Sequence, residues 1–177
     1  TNDMITFFST STAKNKHIKT VNDINLKEFD KAVNNVLLNL AKRVVSDGEG
    51  ASKFVQIEVL KCKTEEDAKK IGFSIANSYL VKTAIAGEDP NWGRIIMAVG
   101  KAEVDLNINS INLLIGNNKV LDKGQLSKSY SEQNLKEYMK NDSLRIIVEM
   151  NLGKKNFTCY TMDLTKKYIE INSDYRT

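Results

Sequence analysis

No other stretch restricts the possible folds of this chain as strongly as KFVQIEVLKC, residues 53–62. Val55, Ile57 and Val59 alternate with polar or aromatic neighbours. A period of two places these three aliphatic side chains on one face of a β-strand. The stretch therefore predicts a strand with one buried face, which requires a covering layer from other parts of the chain.

Amphipathic helices flank this strand in the sequence. Asn25, with Glu28 three residues later, fits the start of the first helix. The second is predicted to start after Thr64, with Asp67 as its third residue, and the third to start after Asp89. In each helix the apolar residues recur at spacings of three and four, which places them on one face. They are Phe29, Ala32, Val33, Val36, Leu37, Leu40, Ala41, Val44 and Val45 in the first helix; Ala68, Ile71, Ile75 and Tyr79 in the second; and Ile95, Ile96, Val99 and Ala102 in the third.

Further strands are predicted at both ends of the chain. They cover residues 3–9, 103–108, 111–115, 144–150, 156–164 and 168–171, with a short helix over residues 132–140. The segment NLGKKN, residues 151–156, has the composition of a hairpin connection. Because helices and strands alternate early and strands dominate late, the pattern favours the α/β class, a layered α+β sandwich, with residues 1–177 as a single segment.

The composition argues against several classes of function. The net charge of +4 is small and its basic residues are scattered, which argues against nucleic-acid binding. Cys62 and Cys159 are far apart and His17 is the single histidine, so no metal site is expected and the cysteines are interpreted as buried thiols. No apolar run approaches the ~20 residues that span a bilayer. A cytoplasmic protein that contacts neither membrane nor nucleic acid is therefore expected.

The loop IAGEDPNWGR, residues 85–94, contains the single proline and the single tryptophan of the chain. A structural interpretation makes Asp89 the cap of the third helix, Pro90 part of its first turn and Trp92 a packing anchor. Glu88, Asn91 and Arg94 are left without a role by that interpretation. Because a helix N-terminus also offers free N–H groups to anions, a functional interpretation stays open.

Two other stretches carry polar groups in suggestive positions. In DGEGASKF, residues 47–54, Glu49 stands between two glycines and can present its carboxylate to an ammonium group. The structural alternative is that this stretch only ends the first helix and forms a turn. The terminal DLTKKYIEINSDYRT, residues 163–177, ends in Tyr175 and Arg176, which suggests a tail that packs against the protein.

Taken in order, the motifs TNDM, SDGEGASKF, AIAGEDPNWGRI and MDLT with YIEINSDYRT resemble the ornithine acetyltransferase family of arginine biosynthesis, also called bifunctional glutamate N-acetyltransferase. The likeness extends from residue 1 to residue 177. The resemblance implies an enzyme that moves acetyl from N-acetylornithine to glutamate through an acetyl-threonine intermediate. It also implies acetyl-CoA as a second possible donor, and no metal or bound organic cofactor.

The same resemblance assigns roles to particular residues. Family members are made as one precursor that cleaves itself into α and β chains, which implies an α-chain partner and an α2β2 heterotetramer. The sequence context of Thr1 resembles a segment downstream of the cleavage point, so the chain is interpreted as the C-terminal part of the β chain. The nucleophilic threonine and the oxyanion hole are then expected on an upstream segment. Motif matching makes Glu49, Asn172 and Thr177 the substrate-binding residues of this chain.

Two rival functions stay open. In the first, Thr1 is itself the nucleophile of an N-terminal-threonine amidohydrolase, with its own amine as base. In the second, the chain is a non-catalytic amino-acid-binding domain that regulates a pathway enzyme. The sequence leaves the role of Arg94 and the use of acetyl-CoA undecided.

Overall fold

The computed structural model describes residues 4–174, which divide into two compact units at residues 41 and 42. Along the chain the helices and strands are α1 (Ile24–Ser46), β1 (Phe54–Cys62), α2 (Glu65–Ala76), α3 (Tyr79–Ala86), α4 (Trp92–Gly100), β2 (Asn112–Ile115), β3 (Asn118–Asp122), β4 (Gln125–Leu126), α5 (Glu132–Met139), β5 (Ser143–Glu149), β6 (Lys155–Met162) and α6 (Lys166–Asp174). A 3-10 turn covers Ile108–Ser110.

The first unit contains an irregular segment and most of α1. The strand predicted for residues 3–9 is wrong for residues 4–9, which are exposed and irregular. A strand completes its backbone hydrogen bonds on a neighbour, and none lies beside this segment within residues 4–41. The predicted helix is confirmed as α1, although none of its residues is buried.

The start of α1 differs from the predicted cap at Asn25. Asp23 accepts hydrogen bonds from the Asn25 backbone N–H at 2.9 Å and from its side-chain amide at 2.7 Å. These bonds, the backbone one first, lower the pKa of Asp23. The residue two positions earlier therefore caps the helix, and Asn25 already belongs to its first turn.

The second unit is built on one six-stranded sheet in the order β4-β3-β2-β5-β1-β6. β1 runs parallel to β5, and all other neighbours are antiparallel. Val55, Ile57 and Val59 are fully buried, as the alternation predicts. The helix α2 packs on β1 and β6, and α4 packs against α2 and α3. The predicted α/β class is confirmed.

The opposite sheet face carries polar pairs. Arg145 Nε and Nη2 donate to the two carboxylate oxygens of Glu58 at 2.6 and 2.9 Å. Lys61 and Asn112 contact the carboxylate of Glu149 at 2.7 and 2.8 Å. The hydrogen bond from Arg145 is the main reason that the pKa of Glu58 lies below its usual value. This face is therefore organised by charged and amide groups.

Several predicted details are wrong. NLGKKN does not close a hairpin, because β1 lies between β5 and β6 in the sheet. Residues 103–107 are irregular and Ile108 begins the 3-10 turn; Val104 and Leu106 still pack against the core, which explains their strand-like alternation. Residues 168–171 belong to α6. The prediction of a strand there is wrong because a run of four residues fits the period of a strand and that of a helix equally well. Tyr79 is exposed at the start of α3, because α2 ends at Ala76.

Candidate functional site

The loop DGEGASK, which follows α1, has a conformation that requires glycine. Gly50 has a φ of +70°, in the left-handed region. A Cβ atom at this position would also lie 2.7 Å from the backbone nitrogen of Tyr168. Gly50 therefore adopts a backbone angle that residues with a side chain rarely take, while Gly48 has no positive φ. The close approach brings the loop against the start of α6.

Asp163, directly after β6, fixes the end of this loop. Its carboxylate is 1% exposed and accepts hydrogen bonds from the backbone N–H groups of Ser52 at 2.8 Å and Lys53 at 3.0 Å, and from the Ser52 hydroxyl. Thr165 adds a bond from its hydroxyl to the Gly50 carbonyl at 2.7 Å. The buried charge is compensated by these donors, as a buried carboxylate requires. The DLT motif therefore clamps the DGEGASK loop.

Glu49 and Asn172 meet although they are far apart in sequence. Asn172 Nδ2 donates to Glu49 Oε2 at 2.7 Å and to the Tyr168 carbonyl, one helical turn earlier, at 2.9 Å. Both side chains are exposed. The structure thus brings together two of the three predicted substrate-binding residues. Thr177, like Thr1, lies outside the described residues.

Lys53 connects this loop to the IAGEDPNWGR loop. Its ammonium lies 3.0 Å from Glu88 Oε1 and 3.2 Å from the Asn141 carbonyl oxygen, and the residue is 7% exposed. Sequence reasoning missed Lys53. Its signal was present, because the alternation of β1, extended by one residue, places Lys53 on the face of Val55, and a lysine on a buried face needs a partner.

The IAGEDPNWGR loop differs from its structural interpretation. The cap position of α4 is Asn91, without a side-chain cap bond, and the Asn91 amide instead donates to Asp89 at 3.1 Å. The predicted cap Asp89 is therefore wrong, and Pro90 precedes the helix. Trp92 does pack against the core as an anchor. Arg94 donates to the Leu80 carbonyl at 2.8 Å and so joins α4 to α3.

Lys82, on α3, is a second cation near Asp163. Its carbonyl accepts a hydrogen bond from the backbone N–H of Leu164 at 3.2 Å. Burial lowers the pKa of Lys82, and the negative charge of Asp163 partly opposes that shift. This lysine adds positive potential beside the clamped loop.

Metal and thiol chemistry receive no support from the residues in the described part. Across residues 4–174, no group of three or more histidine, cysteine, aspartate or glutamate side chains is arranged to hold a metal ion. Cys62 and Cys159 are buried free thiols, as predicted, and burial raises the pKa of each to about 11. Over the same range no helix combines the length and apolarity needed to cross a membrane.

Comparisons with known proteins agree with the motif resemblance. The ArgJ family matches residues 1–177. An "Arginine biosynthesis bifunctional protein ArgJ" from Brucella melitensis is 44% identical over 180 residues, covering 100% of this chain and 44% of the relative. One from Ruegeria pomeroyi is 49% identical over 150 residues, or 85% of this chain and 37% of the relative. The chain thus spans less than half the length of these relatives.

A solved structure shares the fold. The crystal structure of the arginine biosynthesis bifunctional protein ArgJ from Bacillus halodurans aligns with a TM-score of 0.85 and 33% identity, covering 90% of this chain and 75% of that one. Sequence and fold agree over nearly the whole chain, and the resemblance seen in the motifs is confirmed. The chain belongs to the ArgJ family.

Proposed function

We propose that this chain supplies substrate-binding groups to an acetyltransferase of arginine biosynthesis, which moves acetyl from N-acetylornithine to glutamate. The contact between Glu49 and Asn172 carries the proposal. Two motifs from opposite parts of the sequence meet there, and each contributes one residue that the motif resemblance assigns to substrate. Thr177 is proposed as a third binding group at the end of the same tail.

The chemistry of the pair suits these substrates. Glutamate and ornithine carry an ammonium and a carboxylate, and N-acetylornithine adds an amide. The Glu49 carboxylate can accept hydrogen bonds from an ammonium, with one of its oxygens already held by Asn172. An asparagine amide binds either a donor or an acceptor. The pair therefore offers a charged contact whose geometry is set before substrate arrives.

The proposed reaction has two steps and consumes no water. A threonine hydroxyl, on a segment outside this chain, attacks the acetyl carbonyl of N-acetylornithine; the C–N bond breaks and the ornithine amine leaves with a proton. The glutamate amine then attacks the acetyl-threonine ester, and the threonine hydroxyl recovers its proton. Donors in an oxyanion hole stabilise both tetrahedral intermediates. The role of Glu49 is to bind and orient, not to transfer protons.

The remaining elements of the proposal concern donors and partners. Acetyl-CoA is a candidate second donor, and no metal or bound organic cofactor is required. The proposed partner is the α chain of the same precursor, in a cytoplasmic α2β2 heterotetramer. The relatives' length, more than twice that of this chain, leaves room for such a partner segment.

The test is to express the full reading frame and follow glutamate-dependent loss of N-acetylornithine, with and without acetyl-CoA. Replacing Glu49 with alanine removes a charge-assisted contact, so kcat/KM for N-acetylornithine is expected to fall about 10- to 100-fold. The matched control is Glu170→Ala, which removes an exposed carboxylate from α6. Equal kinetics in the two variants would contradict a binding role for Glu49.

Mass spectrometry of the mature protein separates the rivals. A catalytic chain that starts at Thr1 would support the N-terminal-threonine amidohydrolase. An acetylated threonine upstream of this chain, formed with N-acetylornithine, would support the acetyltransferase. Binding of N-acetylornithine or glutamate without acetyl transfer by the full protein would support the regulatory domain.

A further inference from the structure

Lys53 is a buried cation at which three loops meet. It ends the DGEGASK loop, its ammonium pairs with Glu88 of the IAGEDPNWGR loop, and the same ammonium donates to the carbonyl of Asn141, between α5 and β5. The Lys53 backbone N–H is held in turn by Asp163. One residue thus receives or makes polar contacts with three separate parts of the second unit.

The surroundings of Lys53 make its partners obligatory. Lys53 directly precedes β1, and continuing the alternation of the strand turns its side chain to the same face as the fully buried Val55. A buried ammonium is costly unless it is paired and hydrogen-bonded. Removing one partner costs more free energy of folding than the intact pair contributes, because the remaining charge stays buried without compensation. The ammonium therefore fixes the position of the loop that carries Glu88.

Glu88 has a backbone that needs such support. Its φ is +55°, which costs on the order of 1–3 kcal/mol for a residue with a side chain. Two backbone bonds hold the turn, from the Glu88 N–H to the Ile85 carbonyl at 3.0 Å and from the Asp89 N–H to the Ala84 carbonyl at 2.9 Å. The Glu88 side chain is 46% exposed, so Lys53 restrains a carboxylate that is otherwise open to solvent.

We propose that Lys53, through Glu88, is a positioning residue for the substrate-binding loop. It locks the IAGEDPNWGR loop to the DGEGASK loop and thereby holds Glu49 in place for substrate. The inference rests on the proposed function and deepens it, because it names a residue that sets the affinity for N-acetylornithine without touching it. Neither the motif match nor the relatives' names assign this role.

The experiment uses the full reading frame and four variants. Lys53→Met keeps the length of the side chain and removes the charge, Glu88→Gln removes the charge of the partner, and the double variant combines them. Lys53→Arg restores a cation. The matched control is Lys61→Met, which breaks the ion pair between Lys61, at the far end of β1, and Glu149 of β5. KM and kcat for N-acetylornithine are measured together with peptide-resolved hydrogen exchange.

Positioning predicts a specific set of results. In Lys53→Met, KM rises about tenfold or more while kcat changes by less than about threefold, because substrate binding is weakened more than the chemical step. Glu88→Gln gives a smaller change in the same direction, and the double variant is no worse than Lys53→Met, since the two residues act as one unit. Lys53→Arg recovers most of the affinity. Exchange is faster at residues 47–53 and 87–91 in Lys53→Met, Glu88→Gln and the double variant, and it is unchanged in Lys61→Met.

Contrary results are equally distinct. Lys53→Met with a lowered melting temperature but unchanged KM and kcat would make Lys53 a purely structural residue and overturn the inference. If Lys53→Met does not fold, Glu88→Gln decides: unchanged KM and unchanged exchange overturn the inference. A wild-type protein without acetyl transfer would overturn the proposed function instead, and the exchange rates would still decide whether Lys53 couples the two loops.

Discussion

The helices α1 and α2 share the same kind of apolar periodicity and have opposite surroundings. In α2, five residues are buried, among them Ile71 and Ile75, and the helix packs on β1 and β6. In α1 no residue is buried, and Phe29 and Val36 are exposed. Periodicity is therefore enough to specify a helix, whereas burial also requires a complementary surface, and the sheet of the second unit provides one for α2.

Two aspartates show the same difference between the units. Asp23 holds the first turn of α1 through a residue two positions away, while Asp163 holds the DGEGASK loop from far along the chain. The first contact forms with local chain order alone. The second exists once the sheet has assembled, and it couples the site to the fold of the second unit.

The largest expected effect comes from the core. Leu113→Ala, at a fully buried position of β2, is expected to destabilise the second unit by about 2–5 kcal/mol, because it leaves a cavity. Leu40→Ala, at a leucine of α1 that is 43% exposed, is expected to cost less than about 0.5 kcal/mol. Hydrogen exchange at increasing denaturant concentration, followed in β5 for Leu113→Ala and in α1 for Leu40→Ala, measures the two losses. Equal losses would abolish the distinction between the two units.

An intermediate effect is expected for the long-range clamp. Asp163→Asn keeps the shape of the side chain but removes its charge and one of its acceptor oxygens, which costs about 1–3 kcal/mol at a buried site. Faster exchange of the Ser52 and Lys53 amides is the direct measurement. Asp23→Asn is the control, and it is expected to leave both amides unchanged. A clamp variant with wild-type exchange at these amides would show that the loop is held by other contacts.

The smallest effect on stability is expected for Val36→Cys, a substitution that tests burial by thiol labelling. Cys62 and Cys159 have pKa values raised to about 11 by burial, so at pH 8 both thiols stay protonated and shielded from an alkylating reagent. Val36→Cys introduces a thiol on the exposed stripe of α1. Mass spectrometry is expected to show alkylation at residue 36 long before either native cysteine. Rapid labelling of Cys159 in the folded protein would show that the second unit opens readily.

The sequence predicts those parts of the fold that depend on local pattern. Alternation identifies β1, and spacing with the Thr64 cap identifies α2. The same logic fails at residues 168–171, where four residues fit two periods, and at residues 4–9, where apolar composition does not supply a neighbouring strand. Strand order is also beyond local pattern, because the position of β1 between β5 and β6 is decided by the whole sheet.

The candidate site also has a part that local sequence motifs predict and a part that depends on the whole fold. Motif resemblance identifies Glu49 and Asn172, but their direct contact depends on the clamp at Asp163 and on α6 being a helix. Lys53 was overlooked because a lysine at the start of a strand is usually solvated. Its burial follows from the partners Glu88 and Asn141, which lie in distant parts of the chain.

The central place of β1 has a consequence for synthesis on the ribosome. Phe54 pairs with Ser143 on one edge and with Met162 on the other, so both edges of β1 stay bare until residues 143–162 have emerged. At about 5–20 residues per second, translation leaves this aliphatic strand unprotected for seconds. A nascent chain that stalls between β1 and β5 therefore exposes an unpaired aliphatic strand, with which other nascent chains can pair.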